Sequence, residues 1–166
     1  MELDAITLSV LQRSFMAIAT EMGITLAKVA YSPVITEGFD FSGAIYDRAG
    51  HLVASGRRDL TGLLGTLEPS IQYIFEQLGK DFLGPGDVAL VNCPHEAGTH
   101  MNDVKAVKPV YWENELVGYV ANVGHWTDVG GGRQDQSIPW LRTVLVKGYE
   151  LHRLRSLKVI KFAKMF

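Results

Sequence analysis

Two short segments of the chain each carry a histidine followed three residues later by an aspartate. The segments are GTHMND, which contains His100 and Asp103, and GHWTD, which contains His125 and Asp128. Imidazole and carboxylate groups together suit zinc, manganese and iron. Two histidines with one or two aspartates would leave positions on such an ion open for water, which is typical of a catalytic site and not of a structural one. A hydrolytic metal centre is therefore one interpretation of the pattern.

Each segment adjoins an apolar run that is predicted to be a strand. The first follows the strand predicted over 88–92, and the second ends the strand predicted over 116–123. If these strands are neighbours in one sheet, the two segments converge at one edge. A structural interpretation also stands, because aspartates often cap turns and a histidine after a strand often only bonds a carbonyl group.

Other residues with chemical potential are more isolated. Asp40 lies in GFDFSG before the first predicted hairpin, where it is either a turn acceptor or a further metal-binding oxygen. Cys93 is predicted to be a buried, inert thiol. Thr99 and Ser42 carry hydroxyl groups, but the sequence places no base beside them. The glycines at 130–132 lack the lysine and hydroxyl residue of a phosphate-binding loop.

The elements that would position these residues follow from periodicity and turn residues. Apolar residues at steps of three and four predict a long helix over 4–30. A second helix is predicted over 66–78, with Gly79 just past its end. Strands are predicted over 41–46, 51–55, 88–92, 104–111 and 116–123. The predicted fold class is α+β, with the long N-terminal helix packed on a mostly antiparallel sheet of β-hairpins.

Composition excludes several classes of protein. The chain has 166 residues, of which 47% are hydrophobic and 20% are charged, as in a globular domain. A net charge of −2 argues against nucleic-acid binding, and no apolar run is long enough for a membrane span. The N-terminus lacks the basic region of a secretory signal, and the chain has a single cysteine. We therefore expect a cytoplasmic protein that binds neither nucleic acid nor membrane.

Charge is unevenly distributed along the chain. Residues 133–166 contain eight lysines and arginines but two acidic residues. This segment is predicted to be an atypical basic tail, for which a frameshifted or truncated end is one explanation. Residues 1–132 are predicted to form the structured part.

Four stretches resemble a known family. They are EMGITLAKVAYSPVITEGFDFSGAIYD, GHLVASG, LGPGDVALVNCPHEAGTHMNDVKAVKPVY and ELVGYVANVGHWTDVGG. In order, spacing and glycine positions, residues 8–132 resemble the N-terminal part of the hydantoinase B/oxoprolinase family. Family members are considerably longer, so the resemblance covers an N-terminal fragment.

The resemblance implies a function. It implies the B subunit of an ATP-dependent enzyme that opens a cyclic amide ring, a hydantoin or a lactam, at a divalent metal ion (zinc, manganese or iron). Asp40, His100, Asp103 and His125 would be the metal ligands, and Asp128 a catalytic acid beside them. ATP would bind a partner, a hydantoinase A-like subunit. The alternatives are a subunit like those of acetone or acetophenone carboxylases, and a non-catalytic, truncated assembly module.

Overall fold

Ten elements of secondary structure follow one another along the chain. The computed structural model describes residues 3–94, 98–127, 129 and 158–161. The elements are α1 (Ala5–Val29), α2 (Pro33–Thr36), β1 (Phe41–Tyr46), β2 (Leu52–Ser55), α3 (Thr61–Leu64), α4 (Leu67–Leu78), β3 (Asp87–Val91), β4 (Asp103–Trp112), β5 (Glu115–His125) and β6 (Lys158–Lys161). All seven predicted elements are present. Strand β1 has the predicted bounds, and the ends of the other six differ by at most two residues.

The six strands form one sheet in the order β2-β1-β5-β4-β3-β6, and neighbouring strands run antiparallel. The predicted α+β class is therefore confirmed. Two hairpins, β1–β2 and β4–β5, lie side by side because β1 pairs with β5. In the first hairpin, Gly50 turns the chain with a φ of 85°, which a residue with a Cβ atom rarely adopts.

Helix α1 begins with a side-chain cap and contacts β1 and β2. The carboxylate of Asp4 accepts hydrogen bonds from the backbone N–H groups of Ile6 and Thr7, each at 2.9 Å. Gly23 allows the close approach, since a Cβ atom there would lie 2.8 Å from the ring of Phe41. Much of the apolar stripe of α1 is nevertheless exposed, as Ile6 at 77% illustrates.

The hydrophobic core lies between α4 and the opposite face of the sheet. Leu67, Ile71 and Ile74 of α4 are fully buried, at a helical spacing that points all three at the sheet. Their partners in the core come from four strands: Ala44, Tyr46, Ala89, Val91, Val107, Tyr119, Ala121 and Val123. This packing fixes β4 and β5 relative to the rest of the sheet.

Three elements were not predicted. Helix α1 ends at Val29, and Pro33 then begins the one-turn helix α2. Helix α3 is equally short, and β6 lies in the predicted basic tail. The rest of that tail, from 133 on, is outside the described residues, so the boundary at 132 stays a prediction. Among the described helices, none has the length and apolar character needed to cross a membrane.

Candidate metal centre

The β4–β5 hairpin brings the two histidine segments together. Asp103 is the first residue of β4 and His125 is the last residue of β5, and the two are directly opposite in the antiparallel register. Residues opposite each other in such a pair carry side chains on the same face. The turn that sets this register contains Glu113 and Asn114, both at positive φ, as expected for a two-residue hairpin. The two segments therefore converge as predicted, but not through the predicted pair of strands, because β4 lies between β3 and β5 in the sheet.

Asp103 lies between the two imidazole rings. Its Oδ1 is 2.7 Å from His125 Nδ1, and its Oδ2 is 3.3 Å from His100 Nδ1. The two rings meet edge to face, with centroids 5.7 Å apart. One ligand atom from each of the three residues lies within 4.8 Å of the other two, so a single ion can contact all three. These three residues are called the triad below.

The Asp103 carboxylate is held by groups from the loop before β4. Its Oδ2 accepts hydrogen bonds from the Thr99 hydroxyl and, at 2.9 Å, from the backbone N–H of His100. Burial acts to raise the pKa of Asp103, but the hydrogen bonds from Thr99, His125 and the His100 backbone outweigh burial and hold the pKa below its usual value. The carboxylate is therefore kept ionised, as a metal ligand must be.

The three side chains of the triad differ in their exposure to solvent. The Asp103 side chain is 0% exposed, that of His125 is 28% exposed and that of His100 is 63% exposed. A cation held here would be anchored on a buried anion and reached from the histidine side. Two nitrogens and one carboxylate also leave coordination positions for other ligands. The chemistry of the donor set fits zinc, manganese or iron.

The structure describes one of the other two predicted site residues, Asp40. The backbone carbonyl of Asp40 accepts a hydrogen bond from the His125 N–H at 3.1 Å, so Asp40 borders the site through its main chain. Its carboxylate is not part of the described group whose ligand atoms all lie within 4.8 Å of one another. Asp128 lies outside the described residues. The roles predicted for Asp40 and Asp128 stay predictions.

Asn102 locks the two segments against each other, a role that the sequence did not reveal. Its side-chain Nδ2 donates to the backbone carbonyl of Trp126 at 2.7 Å, and its backbone carbonyl accepts from the Trp126 N–H at 2.9 Å. These bonds join the start of β4 to the residue after β5 across the site. The asparagine stands inside the GTHMND motif, but its partner is 24 residues away, so spacing gave no signal.

Lys105 is a second residue that the sequence analysis missed. It lies on β4 two residues after Asp103, and it is 0% exposed. Burial lowers its pKa to about 8, although the charge of Asp103 and the Cys93 thiol act in the opposite direction. A lysine at an inward-facing strand position was the available signal. Of the other candidates, Ser42 donates its hydroxyl to the Leu60 carbonyl, so it has a structural partner.

Comparisons with known proteins agree on one family. A family model described as hydantoinase B/oxoprolinase matches residues 4–155. The 5-oxoprolinase PfmaA of Pestalotiopsis fici is 41% identical over 130 residues, which are 78% of this chain and 10% of that protein. The caprolactamase subunit beta of Pseudomonas jessenii is 34% identical over 128 residues, which are 77% of this chain and 22% of that protein.

Two solved structures share the fold. An ATP-dependent caprolactamase from Pseudomonas jessenii has a TM-score of 0.61 and 27% identity over 90% of this chain and 26% of its own. A nucleotide-free acetone carboxylase has a TM-score of 0.67 and 24% identity over 74% of this chain and 16% of its own. The chain thus spans only a small part of the length of the relatives that it matches.

Proposed function

The chain belongs to the hydantoinase B/oxoprolinase family, and on that premise we propose that it carries the divalent-metal centre of an ATP-dependent enzyme that hydrolyses a cyclic amide. The observation that carries the proposal is the triad, whose ligand atoms lie within 4.8 Å of one another. The names of the relatives support the substrate class, because 5-oxoprolinase and caprolactamase both denote enzymes that act on lactams.

In this proposal His100, Asp103 and His125 hold the ion. When bound, a divalent cation would polarise an amide carbonyl and lower the pKa of water. The chain's own residues prepare the place for it. Thr99 and the His100 N–H orient the Asp103 carboxylate, and the 2.7 Å contact between Asp103 and His125 requires a proton that a cation would displace.

ATP binding is assigned to a partner, a hydantoinase A-like subunit. An amide carbonyl is a poor electrophile, and transfer of a phosphoryl group to its oxygen would provide a leaving group. The 166 residues contain no Walker A pattern. The relative named caprolactamase subunit beta and the ATP-dependent caprolactamase support a division of labour between subunits. The cytoplasmic location and the fragment status of the chain are part of the same proposal.

Metal analysis tests the first part of the proposal. The purified chain is dialysed against zinc, manganese or iron, and bound metal is measured by mass spectrometry. We expect a single ion per chain, which His100→Ala and His125→Ala both lose. The matched control is His51→Ala, because His51 pairs with Glu68 away from the triad. A parent chain without metal, or variants that retain it, would contradict the proposal and favour an assembly-only module.

A reconstituted assay tests the reaction. The chain is combined with an A-type subunit, ATP and 5-oxoproline, caprolactam or hydantoin, and ring-opened product is separated by chromatography. The expected result is ATP-dependent ring opening that His125→Ala abolishes. Carboxylation of acetone with bicarbonate and ATP, in the absence of ring opening, would instead assign the chain to the carboxylase branch, whose solved structure shares this fold.

A further inference from the structure

Lys105 places a fully buried amino group beside the triad. Its cross-strand partners are Val91 on β3 and Val123 on β5, both buried and apolar. Its Nζ has no hydrogen-bond partner among the described residues. The Asp103 carboxylate does not provide one, and its oxygens are instead bonded to Thr99, His125 and the His100 backbone.

The surroundings of the amino group are built around it. A Cβ atom at Gly98 would lie 2.5 Å from Lys105 Nζ and 3.0 Å from the Cys93 carbonyl oxygen. Gly98 immediately precedes Thr99, so the loop that orients Asp103 also passes over the amino group. Any side chain at position 98 would collide with Nζ. The lack of a Cβ atom at position 98 thus leaves room for the amino group itself.

An unpaired ammonium group in a dry interior is costly. Burial of an ammonium group without a counter-charge or a full set of acceptors is strongly unfavourable, whereas an apolar side chain of similar length carries no such cost. Ionisable groups that are strongly perturbed by burial cluster at functional sites. Lys105 lies two residues from Asp103 on the same face of β4. This position indicates that Lys105 would contact the molecule that occupies the metal centre.

We propose that Lys105 is an anion-binding group of the centre, whose ammonium takes an anionic oxygen of the bound substrate. The inference rests on the proposed function for the identity of that substrate. Two sources of the oxygen fit the chemistry: a carboxylate carried by the lactam, as in 5-oxoproline, or the phosphoryl group of an activated amide. In both cases the Lys105 ammonium forms charge-assisted hydrogen bonds with the anionic oxygen and takes no part in the chemical reaction.

Direct binding tests the proposal without relying on turnover. Calorimetry measures the affinity for inorganic phosphate and for 5-oxoproline, with and without bound metal, in the parent chain and in Lys105→Met. We expect affinity for one of the two anions to fall roughly 10- to 100-fold, the range of a lost charge-assisted hydrogen bond. Phosphate sensitivity alone assigns the phosphoryl source, and 5-oxoproline sensitivity alone assigns the carboxylate. The matched control is Lys108→Met, since Lys108 is exposed on the same strand.

Metal content and melting temperature, measured on the same samples, separate this inference from the proposed function. Lys105→Met is expected to keep its metal and to melt no lower than the parent chain, since it removes an unpaired buried charge. Anion binding that depends on Lys105 in a chain that binds no metal would support the inference while the proposed function fails. Gly98→Ala provides a second variant, which crowds the ammonium without removing it and should also weaken anion binding.

Two results would overturn the inference. One is unchanged affinity for both anions in Lys105→Met. The other is a clear loss of stability in Lys105→Met together with an equal loss in Glu96→Gln, because the ammonium would then pair with a carboxylate of the chain itself. Glu96 lies outside the described residues, so this variant is a needed control.

Discussion

Removal of the Thr99 hydroxyl should weaken metal binding without dismantling the triad. Thr99→Val keeps the shape of the side chain but deletes the donor to Asp103 Oδ2. The carboxylate would retain the bonds from the His100 N–H at 2.9 Å and from His125 at 2.7 Å. Because Asp103 is 0% exposed, water cannot readily replace the lost donor. The pKa of Asp103 should therefore rise, and protons should compete better with the metal.

Two independent estimates give the size of the effect. A hydrogen bond to a charged group contributes about 1.5–3 kcal/mol, which corresponds to a loss of roughly 10- to 150-fold in affinity. Substitution of a residue that orients a metal ligand typically costs 10- to 100-fold. Both estimates exceed the change expected at a distant site. We therefore expect the dissociation constant for zinc or manganese to rise by about one to two orders of magnitude.

A competition titration with a chromophoric chelator measures this change. The parent chain, Thr99→Val and His125→Ala are compared at one pH, and their folding is checked by circular dichroism. Thr61→Val is the matched control, because Thr61 is exposed on α3. If Thr99→Val binds metal as tightly as the parent chain while His125→Ala abolishes binding, the Thr99 hydroxyl does not support Asp103 as a metal ligand.

Three further predictions concern stability. The Glu68 carboxylate, 3.1 Å from His51, raises the pKa of His51 while its own is lowered. The contribution of His51 to folding stability is complete below its unfolded pKa of 6.5 and is lost as pH rises through its folded pKa. The contribution of Glu68 is complete above its unfolded pKa of 4.5 and is lost as pH falls through its folded pKa. His51→Gln should thus lower the melting temperature mainly between the folded-state pKa of Glu68 and the folded-state pKa of His51. An equal loss at alkaline pH would contradict the pairing. Ile71→Ala, at a fully buried position, should cost about 2–5 kcal/mol in urea unfolding, and a cost below about 1 kcal/mol would mean that α4 does not seal the core. Gly50→Ala should destabilise more than Gly79→Ala in the same assay, because both have positive φ but a Cβ atom at 50 also lies 2.8 Å from Ile71; equal losses would leave only backbone strain.

Local patterns predicted most of the fold. The helix predicted over 4–30 is observed as Ala5–Val29, and the strand predicted over 41–46 has those same bounds. Long periodic segments are predictable because each residue repeats the same signal about burial. The one-turn helices α2 and α3 were missed because four residues are too few to show a period.

The candidate site was only partly predictable. His100, Asp103 and His125 could be selected by residue type. Their convergence was predicted from pairing of the strands over 88–92 and 116–123, whereas β4 lies between these two strands and pairs with β5. The contacts of Asn102 and the burial of Lys105 could not be derived, because each depends on residues that meet only when the strands pair.

The residue types that could hold a metal, the turns that define the hairpins and the apolar periods of α1 and α4 can all be read from the order of the residues. The burial of Asp103 between two imidazoles, and the position of Lys105 beside it without a partner among the described residues, arise only when the chain folds. The physical reason is that turn and helix preferences are properties of a few adjacent residues. Burial and ionisation depend instead on what strand register and core packing bring close from distant parts of the chain.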